Sequence, residues 1–521
     1  MLLRISRAFG ATNQYTRIVF NRRQTCQYRN MSTITAGEIA LPPVNRDMNV
    51  LDRSFFQRTV QTSALSIHDP RLIQAARAAL SASCDLLSAT TIKPIVEDEA
   101  TPGSKCILLQ PRVQSSDPST WDEKWKYLVD EGKARIRPYE LTLRYDDWTM
   151  SEILDAILPE LSNEDEQNPS GFAQVGHVAH LNLREQFLPY KHLIAQVLLD
   201  KNHTAKTVIN KLHDVGKESV FRTFPYEVLA GPDDLNVIVH HAGCEFRFNF
   251  GEVYWNTRNG HEHERLISTF KPGEVICDVM AGVGPFAVPA AKKGVWVRAN
   301  DLNPACYKSM SAAIVANKVS EYALASNLDG ATFIKSASQQ LLNRPRTFDK
   351  KPKIKVSRDA TKEDQKKTAT KIKALTVTLK EPRTFDHFVM NLPASAIEFL
   401  YAFKGIYHGH EGLFATPSGR RLPMVHVYVF QARKDTEDEE RVELLQRLSS
   451  QLGYKLDSKL DEVMLHRARL VAPNKLFYCA SFRLPAAVAF AEPPTDMNEG
   501  VEANAATPDA DSNFRPWAAT D

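Results

Sequence analysis

Two aspartates and two glycines occupy positions where predicted strands end and could hold a ligand. Asp278-Val-Met-Ala-Gly282-Val-Gly284 joins an apolar run to a helical pattern, and Asp301 ends the next predicted strand. Glycine has no Cβ, so the backbone at Gly282 and Gly284 can approach a ligand closely. A carboxylate at the end of the second strand can accept hydrogen bonds from a ribose diol. The spacing lacks GxGxxG and a following GK[ST], which disfavours dinucleotide and nucleoside triphosphate sites.

A second group of residues has the types needed to move a proton. Glu262 lies four residues after Arg258 and three before Arg265. A carboxylate can act as a general base, and a guanidinium can stabilise developing negative charge. The same spacing also suits a plain ion pair on one helix face, so both interpretations stay open from the residues alone. The adjoining HEHE (261–264) lacks the HExxH spacing, and no metal site is predicted.

Asn391 stands at the end of the fourth predicted strand, before Leu392 and Pro393. Proline at 393 disfavours helical backbone at the preceding residue and so favours an extended turn. The Asn391 amide offers two donors and an acceptor, which suits a planar heteroaromatic edge beside a cofactor. A structural asparagine turn is the alternative.

The elements that must position these residues form a repeating strand–helix pattern from residue 270 onward. Helical stretches such as PACYKSMSAAIVANK separate the apolar runs, and KLFYCASFRL is expected to add a closing antiparallel strand. The predicted parallel strands are EVICDVM, VWVRAN, ATFIKS, HFVMN and MVHVYVF. This alternation predicts a Rossmann-like, doubly wound α/β domain over 265–488, with its ligand at the carboxyl ends of the strands.

Smaller segments surround this domain. Mixed helix and strand patterns predict a small α/β domain over 50–157 and a second over 170–264. In the second, NVIVHHAGCEFRFNF is predicted to be a hairpin and FAQVGHVAHLNL one strand.

Two charged segments stand apart from these domains. Residues 344–383 hold fourteen Lys/Arg against five Asp/Glu and are expected to be a mobile, solvated insertion, with RNA phosphate contact as the alternative. The acidic tail 489–521 is expected to be disordered.

Composition sets further limits. The 521 residues carry a net charge of only +3, so any nucleic-acid-binding surface must be local. The cysteines form no CxxC pair, which argues against a cysteine zinc site. No uninterrupted apolar stretch approaches eighteen residues, and no membrane span or membrane partner is expected.

The motifs together resemble those of the archaeal and eukaryotic tRNA (guanine-37-N1)-methyltransferases, which are class I S-adenosylmethionine-dependent enzymes. The likeness covers about 170–405 in family order. The matching stretches are VGHVAHLNLREQFLPYKHLIAQVLLDKN, FRTFPYEVLAG, GEVYWNTRNGHEHERL, DVMAGVGPFAVPAAKKG, DLNP and NLPASAIEFL. The resemblance implies methyl transfer from S-adenosylmethionine, without a metal, to N1 of the guanosine 3′ of the anticodon. Such a modification helps maintain the reading frame.

The resemblance also implies residue roles. Glu262 is expected to be the general base, Arg222 to steady the guanine, and Asn391 to contact base and cofactor. Tyr254 and Arg258 are expected to shape the base pocket. The implied cofactor contacts are Gly282, Gly284, His263, Asp301, Leu302, Asp329, Gly330 and Asn391. The chain departs from the usual family pattern at Thr257 and at Asn259-Gly260, which leaves the conformation of this loop open.

The implied partner is tRNA, contacted at its anticodon loop and tertiary core, with the 50–157 domain checking tRNA shape. No dimer seam is evident and a monomer is expected. Two alternatives remain. One is the related wybutosine-pathway enzyme that transfers the aminocarboxypropyl group of the same cofactor. The other is a non-catalytic RNA-binding module.

The first 37 residues predict delivery to the mitochondrial matrix. MLLRISRAFGATNQYTRIVFNRRQTCQYRN carries six arginines, and no acidic residue precedes Glu38, which is typical of a targeting segment. Initiation at Met31 would omit most of that segment. We therefore expect a second, cytoplasmic or nuclear form that begins there. N-terminal peptides from fractionated cells check this expectation, and a single N-terminus in every compartment would contradict it.

Overall fold

The computed structural model describes most of the chain, in the stretches 41–87, 92–98, 100–160, 168–169, 171–212, 221, 223–350, 352, 362–415 and 420–492. The predicted targeting segment, Arg222 and the acidic tail beyond residue 492 lie outside the described residues. The chain divides into two compact units, Met1–Ser170 with Gln196–Lys201, and Gly171–Ala195 with Asn202–Asp521. Each unit is described separately.

The first unit is built around a four-stranded antiparallel sheet in the order β2-β3-β1-β4. Its elements are β1 (Arg58–Ile67), α1 (Ile73–Ala82), β2 (Ile95–Glu97), β3 (Lys105–Leu108), α2 (Glu123–Asp130), β4 (Ala134–Leu143) and α3 (Met150–Ile157). Leu65 and Ile107 of the sheet pack against Leu80 of α1 and Trp125 of α2. The α/β character predicted for this part of the chain is confirmed.

The second unit begins with a four-stranded sheet, β5-β6-β7-β8, and a separate hairpin, β9-β10. The elements are β5 (Ala173–Val175), β6 (Val178–Leu181), α4 (Lys191–Lys201), β7 (Thr207–Lys211), β8 (Tyr226–Ala230), β9 (Asn236–His241), β10 (Cys244–Asn249) and α5 (Gly260–Thr269). The second half of α4, Gln196–Lys201, is counted with the first unit. The predicted hairpin is confirmed. The prediction of one strand over FAQVGHVAHLNL was wrong, because Gly176 takes φ +57° and turns the chain between two antiparallel strands.

The remainder of this unit is organised by a seven-stranded sheet in the order β13-β12-β11-β16-β17-β19-β18. The first five strands are parallel, β19 pairs antiparallel with β17, and β18 pairs antiparallel with β19. Its strands are β11 (Val275–Asp278), β12 (Trp296–Asn300), β13 (Ala323–Ser326), β16 (His387–Met390), β17 (Met424–Ala432), β18 (Met464–Ala472) and β19 (Lys475–Arg483), and a separate pair is β14 (Thr347–Lys350) and β15 (Val377–Lys380). The helices are α6 (Ala287–Lys292), α7 (Pro304–Ala316), α8 (Gly330–Asn343), α9 (Lys362–Ala374), α10 (Glu437–Leu452) and α11 (Ala486–Ala489). The predicted doubly wound architecture is confirmed.

Both faces of this sheet are buried. Ile276 of β11 faces a core that includes α6 and α7, whereas Val275 and Cys277 face one that includes α8 and α10. Strands covered on both faces are apolar throughout, which is why they were recognisable as short apolar runs. Phe246 of the β9-β10 hairpin belongs to the first of these cores, so the hairpin shares a core with the sheet. No helix in the described part of the chain is both long and apolar enough to span a membrane.

One predicted strand is a helix. The stretch ATFIKS lies inside α8, and the third strand of the parallel sheet is Ala323–Ser326. Asp329 caps α8 by accepting the backbone N–H groups of Ala331 at 3.0 Å and Thr332 at 3.1 Å. A short apolar run fits strand or helix equally well by periodicity, and the capping aspartate was the signal that decides between them.

The described residues of the basic insertion form regular structure, which composition did not predict, and its mobility and contact with RNA stay predictions. β14 pairs antiparallel with β15, and α9 lies between them in the sequence. At its base, the buried carboxylate of Glu381 binds Arg298 and Arg346, each at 2.9 Å. Burial alone would raise the pKa of Glu381, but hydrogen bonds from Arg346 and the charges of both arginines outweigh burial and lower that pKa.

The Glu381 cluster predicts a large stability effect. Glu381→Gln leaves two guanidinium groups without their counter-charge, and we expect a loss of about 3–5 kcal/mol in the free energy of unfolding. The control is Glu437→Gln, which removes an exposed pair with Arg441 and should cost about 0.3–0.5 kcal/mol. Urea denaturation at neutral pH measures both variants, and equal losses would contradict the prediction. Since the folded-state pKa is lowered, the Glu381 contribution is lost as the pH falls through that pKa.

Candidate active site

A cavity opens at the carboxyl ends of β11, β12 and β16, where the strand order reverses and doubly wound sheets bind their ligands. The residues that line it include eight of those predicted to bind cofactor or base: Tyr254, His263, Gly282, Asp301, Leu302, Asp329, Gly330 and Asn391. They come from five separate segments of the sequence. The fold therefore brings most of the predicted site together.

The two glycines of the first turn serve different purposes. Gly282 has φ +57°, and a Cβ placed there would meet no protein atom within 4 Å, so this backbone is open to the cavity. Gly284 has φ +94°, and a Cβ there would lie 3.1 Å from Val288 and 3.3 Å from Met310. Gly284 thus permits close packing of the turn on α6 and α7, and its contact with a ligand stays a prediction.

Asp301 is fixed by the backbone on both sides. Gly282 N–H donates to Oδ2 at 2.8 Å, and Asn303 N–H donates to Oδ1 at 2.9 Å. Burial raises the pKa of Asp301, although these two hydrogen bonds oppose the shift. A carboxylate has about four lone-pair sites, and the Cys306 thiol also hydrogen-bonds to this one, so at least one site remains for a ribose hydroxyl. Behind it, Asp278 is completely buried, and burial together with the Asp301 charge raises its pKa well above the usual range.

His263 presents a neutral imidazole to the cavity. The ring packs at a steep angle against Phe286, with centroids 4.6 Å apart, and lies beside His241. Burial is the main cause that lowers the pKa of His263 to about 3, so the ring is uncharged at neutral pH. Its Nδ1 is buried and has no hydrogen-bond partner among the described residues. A polar atom in that position is available to a bound ligand.

The opposite wall is formed by the ends of β13 and β16. The turn after Asn391 is tied to the next strand, because Phe430 N–H donates to the Pro393 carbonyl at 3.0 Å. At Gly330, an added Cβ would lie 3.3 Å from Met280 and from Phe399, so a side chain would crowd this wall. The Asp329 carboxylate caps α8 as well as lining the cavity.

Glu262 lies in an adjoining cavity rather than in the first one. The second cavity is lined by Arg258, Glu262, Arg265 and His466, among others, and Asn259 lines both cavities. The family resemblance implied that Glu262 and Arg258 act on the base, and the structure places both on the second cavity; their roles stay predictions. Arg222 lies outside the described residues, while its neighbour Phe221 lines the first cavity.

The Glu262 carboxylate is buried and held by three side chains. Arg265 donates to both oxygens, from Nε at 2.7 Å and from Nη2 at 2.7 Å. Tyr428 O–H donates to Oε1 at 2.9 Å, and His466 Nε2 lies 3.3 Å from Oε2. The ion pair that the spacing left open is thus present with Arg265. Sequence reasoning gave no role to Tyr428 or His466, which are far from Glu262 in the chain.

No group of three or more His, Cys, Asp or Glu side chains within the described residues is arranged to hold a metal ion. The HEHE stretch is divided between the two cavities. Among its histidines, His263 lines the first cavity and His261 the second.

The sheet order, the glycine turn and the aspartate after the second strand define a class I methyltransferase fold. Two family models match consecutive stretches, a "TYW2 N-terminal domain" over residues 150–234 and a "TRM5/TYW2 methyltransferase domain" over residues 237–345.

Curated relatives extend this likeness to most of the chain. A protein of Aspergillus fumigatus is 48% identical over 469 residues, which cover 87% of this chain and 96% of the relative. Relatives from Neurospora crassa and Schizosaccharomyces pombe are 45% and 42% identical, over 87% and 85% of this chain and 95% of each relative. All three are named tRNA (guanine(37)-N(1))-methyltransferase. The chain belongs to the tRNA (guanine(37)-N(1))-methyltransferase family, and the resemblance of its motifs is confirmed.

Proposed function

We propose that this protein methylates N1 of guanosine-37 in tRNA, with S-adenosylmethionine as the methyl donor. The observation that carries the proposal is the pair of adjoining cavities. One has the features of a nucleoside cofactor site, the other holds a buried carboxylate, and Asn259 lines both. The names of the curated relatives support the same reaction.

The first cavity fits S-adenosylmethionine by its chemistry. Asp301 would accept hydrogen bonds from the ribose hydroxyls of the cofactor, and the open backbone at Gly282 would let the cofactor approach closely. The unpartnered Nδ1 of His263 would form a hydrogen bond with a polar group of the cofactor. Asn391 would contact the adenine or the methyl-bearing end through its amide. When bound, the cofactor supplies an electrophilic methyl group on a sulfonium.

Guanine N1 carries a proton at neutral pH, so methylation at that atom requires a base. The Glu262 carboxylate would accept the proton once a flipped guanine comes within hydrogen-bond reach. Because Arg265 binds both carboxylate oxygens, at least one of these hydrogen bonds must be given up or shared during the transfer. Tyr428 and His466 would keep the carboxylate in place while that happens. Arg222 stays the predicted group for the charge that develops toward O6.

Two further points stay predictions. One is the recognition of the tRNA tertiary core by the N-terminal domain, which the resemblance implies. The other is action as a monomer, which is expected because no dimer seam is evident in the sequence.

Mass analysis of position 37 tests the function. The full chain is incubated with unmodified tRNA and S-adenosylmethionine that carries distinguishable labels in its methyl group and its amino-acid arm. We expect one methyl label on guanosine-37 and none on a matched tRNA with adenosine at that position. Transfer of the amino-acid arm would establish the aminocarboxypropyl alternative, which the relatives' names do not favour. Absence of both labels would indicate a non-catalytic RNA-binding module.

The role of Glu262 is tested by Glu262→Gln, which keeps the size of the side chain and removes the base. We expect the single-turnover rate to fall about 10²–10⁴-fold, which is the usual contribution of general-base catalysis. Binding of S-adenosylmethionine should survive, since Glu262 does not line that cavity. Glu264→Gln, an exposed neighbour on the same helix, is the matched control. An unchanged rate in the Glu262 variant would refute the assignment.

A further inference from the structure

The second cavity carries more positive charge than its one carboxylate can balance. Arg258, Arg265, Arg469, His261 and His466 line it together with Glu262. The Glu262 carboxylate is engaged on both oxygens by Arg265. Within the described part of the chain, neither Arg258 nor Arg469 forms an ion pair with a carboxylate. Two guanidinium groups therefore face the same cavity without a counter-ion.

A β-bulge turns Arg469 toward this cavity. In the pairing of β18 with β19, His466 is opposite Cys479, Arg467 is opposite Tyr478, and Arg469 is opposite Phe477, so the chain gains one residue between 467 and 469. Side chains alternate between the faces of a regular strand, and residues three apart would point in opposite directions. The extra residue places Arg469 on the same face as His466.

Because Arg469 is partly buried, leaving its guanidinium without a counter-ion costs free energy. Its guanidinium carbon lies 5.7 Å from the centre of the Phe477 ring, and its Nε is buried with no hydrogen-bond partner among the described residues. Burial, and to a lesser degree the charge of Arg258, lower the pKa of Arg469. Arginine nevertheless stays charged in proteins, so this repulsion persists unless an anion binds between the two groups.

We propose that Arg469 and Arg258 bind a backbone phosphate of the RNA, next to the nucleotide whose base is presented to Glu262. The proposal rests on the proposed function, because a tRNA substrate would bring its own phosphates to this place. Guanidinium groups bind phosphate oxygens through paired N–H donors, which suits two arginines on one cavity. The carboxylate of Glu262 would not repel the phosphate strongly, since Arg265 balances its charge.

Arg469→Gln tests the contact, with Arg467→Gln as its matched control. Arg467 lies on the same strand, but it is exposed and opposite Tyr478, on the other face. We expect the tRNA affinity of Arg469→Gln to fall about tenfold to a hundredfold, as for loss of a hydrogen bond to a charged group. The slope of log affinity against log salt should become shallower by about 0.7, the value for one phosphate of a single strand. Arg467→Gln should retain the parent affinity and slope.

A second measurement separates phosphate binding from a structural role. Two tRNA substrates are made in which an uncharged methylphosphonate replaces the phosphate on the 5′ or the 3′ side of guanosine-37. The affinity of each substrate is measured for the parent protein and for Arg469→Gln. At one linkage the parent should lose affinity, and the variant, which keeps only the Arg258 contact, should lose less. Equal losses in both proteins at both linkages, or a variant with a lowered melting temperature and an unchanged salt slope, would overturn the proposal.

The proposed function has its own readout in the same experiment. If the parent protein binds tRNA but transfers no methyl label to guanosine-37, the proposed function fails. The phosphate contact is judged only by the salt slopes and the linkage comparison.

Discussion

The hydrogen bond from Gly282 N–H to the Asp301 carboxylate joins the turn after β11 to the end of β12, and both segments line the first cavity. In this turn Gly282 takes a left-handed conformation, which glycine adopts without strain. Asn300 extends this connection, since its amide donates to the carbonyls of Val279 and Leu328 and accepts from Leu328 N–H. The ends of three parallel strands are thereby held in register, and the positions of the lining residues follow from that constraint.

Part of the lining of the first cavity could be predicted from strand ends, whereas only the family resemblance implied His263, Leu302, Asp329 and Gly330. Asp301 and Asn391 needed only the strand–helix alternation and the topology of a doubly wound sheet. The surroundings of Glu262 could not be predicted in the same way. Tyr428 and His466 come from strands far along the chain, and strand pairing over such distances leaves no local pattern. The bulge that directs Arg469 likewise has no signature in the residues around it.

The incorrect strand prediction and the missing account of the insertion also have physical reasons. The run from Ala331 to Ser336 is too short for periodicity to separate strand from helix, and the cap at Asp329 was overlooked. The 344–383 insertion was judged by its lysine content, which describes its solvation but not its backbone pairing. Its anchor is a carboxylate, Glu381, that meets one arginine from β12 and one just before β14. Composition alone contains no information about such a contact.

The bulge in β18 affects whether a strand of another protein molecule can pair with this sheet. Among the described strands, β18 lies at one edge of the seven-stranded sheet and β13 at the other. An uninterrupted edge offers a row of free amide and carbonyl groups to which a strand of a neighbouring chain can add. The irregular pairing at Arg467 and Arg469, with two arginines placed there, breaks that row and puts positive charge beside it. At this edge the same irregularity disfavours the addition of a strand from a neighbouring chain.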